Sequence, residues 1–174
     1  YDGTGRTIEL TMTGTNDGPV LSGPSPRATV SEDDSTFTFD LLSGVSDVDT
    51  TDTLSVDVSS IAPVSGDASG IVINTDGTLS VDPNAYTHLP VGTDEIVTFG
   101  YLVEDGNGGS VEQTATITIT GADDTPIIEG GIGGVVTEDA SLTAHGTLTI
   151  TDPDTGGSTC QAVTGLTGEF GFRD

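Results

Sequence analysis

Lysine and tryptophan are absent from this sequence of 174 residues, and cysteine occurs once. Each absence removes a class of chemistry. Without lysine there is no G-x-x-x-x-G-K-[ST] phosphate loop and no Lys–Asn isopeptide crosslink. The only bases are Arg6, Arg27 and Arg173, set against 28 acids for a formal net charge of -25 at pH 7. Such a surface repels nucleic-acid phosphates and anionic membranes and attracts cations, divalent ones most strongly. Neither a nucleic-acid partner nor membrane insertion is expected. Cys160 alone excludes an internal disulfide, so a secreted domain of this kind needs another staple, and a bound metal is the usual substitute. Two histidines, His88 and His145, exclude a three-histidine zinc site, and there is no H-E-x-x-H. There is no G-x-S-x-G elbow either, and a Cys160–His145 pair reads better as packing or surface residues. No enzyme is expected. No apolar run approaches the roughly 18 residues of a membrane span. The opening Tyr1-Asp2-Gly3 shows no basic or apolar leader region, so the chain reads as a segment of something longer.

What is present is alternation. Acidic, aromatic-poor chains are often disordered, but here the acids are scattered among alternating Val, Ile, Thr and Phe. Phe37, Phe39 and Leu41 alternate with polar residues, as do Leu54, Val56 and Val58. Leu79 and Val81 follow the turn Asp76-Gly77; Val97, Phe99, Tyr101 and Val103 form the next run, and Ala115, Ile117 and Ile119 the last. Asn107-Gly108-Gly109 separates those two. Period-2 runs with turn signals between them predict strands. The expected class is all-β.

Laid on itself, the chain repeats. Gly14–Leu21 matches 121–128, Val30-Ser31-Glu32-Asp33 matches Val136-Thr137-Glu138-Asp139, and Asp47-Val48-Asp49 matches Asp152-Pro153-Asp154. Asp2-Gly3-Thr4-Gly5 matches Asp105-Gly106-Asn107-Gly108. Four motifs in one order, about 105 residues apart, predict tandem β-sandwich repeats. Residues 1–18 read as the last strand of a preceding repeat, with Ile8, Leu10 and Met12 repeating the pattern of 115–119. Residues 19–122 read as a complete repeat, and 123–174 as the first half of the next.

The acids gather at element ends. One group is the hinge, Asn16-Asp17 and Asp123-Asp124; another is Glu32-Asp33-Asp34; the others are the Asp-x-Asp pairs 47/49 and 152/154 and the Asp-Gly-x-Gly motif at 105. Calcium takes roughly six to eight oxygen ligands, more than one short segment of a sandwich supplies, so several loop ends must converge. An alternating Asp-x-Asp puts both carboxylates on one side of an extended segment. Glycines after Asp105 permit a tight loop whose carbonyls also turn inward. A helix-loop-helix calcium motif does not fit: Gly157 is suitably placed after Asp152, but the final ligand position holds Val163. Paired carboxylates also suit glycosidases, yet sugar clefts want aromatic platforms, and the tyrosines are Tyr1, Tyr86 and Tyr101 only.

Asn16-Asp17-Gly18-Pro19, Glu32, Asp47-Val48-Asp49 and Asp105-Gly106 together resemble the cadherin-like calcium-binding framework. The run from Val97 to Pro126, with Val135–Asp139 and Gly146–Asp152, resembles the VCBS and related cadherin-like repeats of large bacterial RTX-type surface adhesins. The resemblance implies a Greek-key, Ig/cadherin-like sandwich and Ca2+ at two inter-repeat junctions. The first would use Asn16, Asp17, Asp47, Asp49 and Asp105; the second Glu32, Asp123, Asp124, Asp152 and Asp154. The cadherin Leu-Asp-Arg-Glu motif is missing, and position 123 is Asp where position 16 is Asn. It further implies an extracellular extender, type I secretion, neighbouring repeats as partners, and host or biofilm ligands engaged through other domains. The competing expectation is a module that binds a carbohydrate or protein.

Overall fold

The computed structural model describes residue 5, residues 7–131 and residues 146–157. Asp2, Glu138, Asp139, His145 and Cys160 lie outside them. The fold is an all-β sandwich. The described strands are β1 (Val20–Leu21), β2 (Arg27–Ser31), β3 (Phe37–Phe39), β4 (Val45–Ser46), β5 (Ser55–Val56), β6 (Ala62–Ser65), β7 (Ile71–Ile73), β8 (Leu79–Val81), β9 (Asp94–Glu104), β10 (Ser110–Thr120), β11 (Ile127–Gly131) and β12 (Thr147–Thr151). Short 3-10 turns cover Val58–Ser60 and Pro83–Tyr86. One sheet has the order β2-β10-β9-β5, with β6 also pairing with β9. A second has the order β3-β8-β7, and β1-β4 and β11-β12 form separate ladders.

The chain divides into two compact units. The first comprises Tyr1–Ala28, Phe37–Val81 and Ile96–Ile117. Its core is the inward face of the long strands and the three-stranded sheet: Phe39, Leu41, Leu79, Val81, Val97, Phe99, Tyr101, Val103, Ala115 and Ile117 are all buried. Each of the Val, Leu, Ile and Phe side chains among them contributes about 1.5–3 kcal/mol on leaving water. The Tyr101 hydroxyl donates to the Leu41 carbonyl at 2.7 Å, tying β9 to the segment after β3. Burial, with Asp40 adding its charge, pushes the Tyr101 phenol well above its ordinary range, so it stays a donor. Between β7 and β8 the expected turn forms: Gly77 has φ 81°, and Asp76 accepts from the Thr78 hydroxyl at 2.7 Å and its N–H at 3.1 Å.

The second unit comprises Thr29–Thr36, Asp82–Glu95 and Thr118–Asp174. Tyr86, Leu89 and Ile119 are buried in it. Glu32 N–H donates to the Thr120 carbonyl at 3.0 Å, and Gly121 N–H donates to Thr93 O at 2.8 Å. A side chain on Gly121 would strike the carbonyls of Leu89 and Pro90. That close packing fixes the start of the segment carrying Asp123 and Asp124. Farther on, β11 and β12 pair antiparallel from Ile127↔Thr151 to Gly131↔Thr147.

One expectation fails. Residues 7–13 carry no strand, and Ile8, Leu10 and Met12 are 90%, 82% and 88% exposed. Alternation makes a strand only where a ladder and an apolar face receive it, and the described residues provide neither. β1, β2, β4, β6, β7, β11 and β12 went unforeseen. β6 contains Pro63 and a register irregularity between Pro63 and Ser65, features that suit a sheet edge. β7 is a continuous Ile-Val-Ile with no alternation to betray it.

Candidate functional site

Among the described residues two carboxylate clusters form, one in each unit. In the first unit, carboxylate oxygens of Asp47, Asp49 and Asp52 lie within 4.8 Å of one another, and all three residues are half-buried. The chain folds there because Asp49 N–H donates to Asp47 Oδ1 at 2.9 Å and Asp52 N–H closes a turn onto Asp49 O at 3.0 Å. The hinge residues come to the same place. Asp17 N–H donates to Asp49 Oδ2 at 2.8 Å, and Asn16 Nδ2 donates to Asp105 Oδ2 at 2.9 Å.

Asp105 organises this network and is 1% exposed. Its carboxylate accepts from Asn107 N–H at 2.7 Å and from Gly109 N–H at 2.9 and 3.1 Å. The Asn16 amide, then these loop N–H groups, hold its carboxyl below the usual range, against the opposing effect of burial. The loop achieves this through Gly106 (φ 81°) and Gly108 (φ 106°), while a side chain on Gly109 would collide with the Asp105 carboxylate. What the glycines turn inward onto Asp105 are N–H groups, where the sequence suggested carbonyls. Asn107 Nδ2 then reaches Asp52 Oδ1 at 2.7 Å.

In the second unit, Glu32, Asp124 and Asp154 converge with oxygens within 4.8 Å. Glu32 is fully buried and accepts from Ala122 N–H at 2.7 Å. Asp124 N–H donates to Asp154 Oδ2 at 3.1 Å, and Asp154 N–H donates to Asp152 Oδ1 at 3.0 Å. Burial raises the Glu32 carboxyl above its ordinary value; the Ala122 N–H opposes this, and the charges of Asp124, Asp154 and Asp33 add to it. Asp124 is raised in the same way, by burial first and then by Asp154, Asp33, Asp152 and Asp123. Asp123 thus acts on the cluster through its charge, outside the close triad.

Both clusters leave buried oxygens without a hydrogen-bond partner: Asp47 Oδ2 and Asp52 Oδ2 in one, Glu32 Oε2, Asp124 Oδ2 and Asp154 Oδ1 in the other. Unpartnered buried acceptors carrying charge are costly, and among the described residues the only base is Arg27. A donor set made only of carboxylates, with free lone pairs converging, suits a hard divalent cation.

All ten residues named from the sequence lie in or beside these two clusters. Asp52 and Asn107 were missed. Asp52 follows Asp49 by a single turn, so the run Asp47–Asp52 carried the signal; Asn107 showed only as turn chemistry.

A family model for a cadherin-like domain matches residues 15–120, more than half of the chain. No curated protein matches. Among solved structures, an NMR structure of a protein from Bacteroides thetaiotaomicron is similar at 12% identity and a TM-score of 0.26, over 70% of this chain and 95% of that one. That likeness is too weak to bear on the fold. The all-β architecture and the family match carry the assignment: this chain belongs to the cadherin-like domain family.

Proposed function

We propose that this chain is a calcium-stiffened structural repeat, an extender segment of a bacterial cell-surface adhesin working outside the cell. The observation that carries the reading is the pair of clusters with converging, unpartnered carboxylate oxygens in a chain of net charge -25. Asp47, Asp49 and Asp52 would hold one Ca2+, with Asn16, Asp17 and Asp105 placing them. Glu32, Asp124 and Asp154 would hold the other, beside Asp123 and Asp152. In sequence, Asn16-Asp17 precedes the 19–122 repeat and Asp123-Asp124 follows it, so each cluster joins a hinge segment to a repeat. Bound Ca2+ supplies the positive charge that the chain lacks. Without it, carboxylates at each cluster repel, and the Asn16, Asp17 and Ala122 contacts must hold the hinge segments alone. Sites of extracellular modules bind at about 10⁻⁴–10⁻³ M, and binding to the folded state adds RT ln(1 + [Ca]/Kd) of stability.

The test is calorimetric titration of the chain with calcium, paired with melting curves in calcium and in EDTA. The reading expects saturable binding and a higher melting temperature, both reduced in the Asp47→Asn, Asp49→Asn double variant. No binding and coincident melts would overturn it.

A module that captures a small ligand is the second reading, favoured by an open groove of about 610 Å³ lined by Leu21, Ser25, Ser60, Leu102, Gln113 and Thr114, among others. That volume lies within the range of ligand pockets. Binding of the isolated chain on a glycan array would favour it.

A further inference from the structure

The chain contains four asparagines, Asn16, Asn74, Asn84 and Asn107, and only Asn107 precedes a glycine. Asn107 lies exposed in the loop between β9 and β10. Gly108 has φ 106°, and open space surrounds the position a Cβ would take. Asparagine is thermally labile because the following backbone nitrogen attacks its side-chain carbonyl carbon. A side chain on the following residue obstructs that attack, and glycine offers none. In the native loop the amide is held: Nδ2 donates to Asp52 Oδ1 at 2.7 Å, and the Asn107 N–H donates to Asp105 Oδ1 at 2.7 Å. The matching motif at the start of the chain, Asp2-Gly3-Thr4-Gly5, has threonine at this place, so the amide belongs to this loop and not to the repeat pattern.

We propose that Asn107 is a site of spontaneous deamidation, restrained by its hydrogen bond to Asp52, and that its conversion adds a carboxylate to the Asp47–Asp49–Asp52 cluster. The step needs only water. The Gly108 amide nitrogen gives up its proton and bonds to Asn107 Cγ; the bond from Cγ to Nδ2 breaks and ammonia leaves with that proton. Water then opens the succinimide at either carbonyl, giving aspartate or isoaspartate. Where a donor faced Asp52, a carboxylate now faces it. The loop loses a bond and gains repulsion, and isoaspartate also lengthens its backbone.

The experiment ages the whole chain in mildly alkaline buffer with EDTA and maps its peptides by mass spectrometry. Conversion should appear at Asn107 ahead of Asn16, Asn74 and Asn84, as two chromatographically separable products. Asn107→Gln should abolish it there, and Asp52→Ala should speed it several-fold. Conversion at Asn107 no faster than at the other three sites overturns the proposal. So does an unchanged rate in a folded Asp52→Ala chain. As a second measurement, Asn107→Asp mimics the product and should lower the melting temperature in EDTA by several degrees; an unchanged melt overturns the stated consequence. No arm uses calcium, so failure here is separate from failure of the calcium reading.

Discussion

Replacing Glu32 with glutamine removes one charge from the second cluster while keeping the side chain's shape. Oε1 would still accept from Ala122 N–H, now at 2.7 Å. A donor would replace Oε2, a buried oxygen without a partner, close to acceptors on Asp124 and Asp154. Two unit charges at the 4.8 Å limit of this cluster repel by about 0.9 kcal/mol in bulk water and about 3.5 kcal/mol at an effective dielectric of about 20. Solvent screening favours the lower end. Relief of two such pairs then comes to about 2 kcal/mol, and pairing the orphaned position adds about 1 kcal/mol. In EDTA, Glu32→Gln should therefore stabilise the chain, raising its melting temperature by roughly 6–12 °C at about 2–4 °C per kcal/mol for a chain of this size. In millimolar calcium the proposed function requires the sign to invert, because a charged ligand would be lost. Calorimetric melts of both chains in both buffers read the crossover. A Glu32→Gln chain that melts lower than wild type in EDTA would refute the reasoning, since it would mean the Glu32 charge is already compensated.

Glu32 and Asp124 sit above ordinary values of 4.5 and 3.8, so the cation-free folded chain binds protons more readily than the unfolded one. Their contribution should fall as pH rises from the ordinary carboxylate range through the raised values, and Asp105, held below 3.8, should lose its own contribution only on acidification. In EDTA the advantage of Glu32→Gln should accordingly shrink as pH drops toward about 4; a pH-independent difference in melting temperature would contradict this. Tyr101→Phe strands the Leu41 carbonyl by removing its 2.7 Å donor, so urea unfolding should show a loss of about 1–3 kcal/mol. Gly77→Ala meets both a φ of 81° and the Val56 side chain; its urea midpoint should fall by the equivalent of more than about 1 kcal/mol.

Legibility in the sequence followed physical context. β9 and β10 were plain because eleven-residue runs alternate against a core on one face, and the hairpin glycines between them punctuate the pattern. The same alternation misled at Ile8, Leu10 and Met12, because a periodic segment becomes a strand only where a ladder and a buried face exist. β7 was invisible for the opposite reason, with apolar residues on both faces and too short a span. At the clusters, the Asp47-x-Asp49 spacing disclosed two carboxylates that converge, whereas of Asp152-x-Asp154 only Asp154 joins its triad, Asp152 accepting the Asp154 N–H instead. Spacing did not disclose that Asp105 would spend its oxygens on Asn16, Asn107 and Gly109, leaving Asp52 to complete the triad. Division of labour between a carboxylate that accepts bonds and one left open is set by loop geometry, which a single sequence does not encode locally.

That division separates the two clusters. In the first, amide donors from Asn16, Asn107 and Gly109 already answer the most buried carboxylate, and Asp105 is held ionised. In the second, Glu32 is more deeply enclosed, has one backbone donor, and otherwise faces carboxylates whose charges all push its proton affinity upward. Hydrogen bonds can stand in part for a cation at the first, since they supply local positive dipoles and fixed geometry. At the second, three oxygens without a hydrogen-bond partner converge among carboxylates, so its folded arrangement should depend more on a cation or on protonation. The segment running from Ala122 through Asp124 is therefore the part of the chain whose order should respond most strongly to calcium.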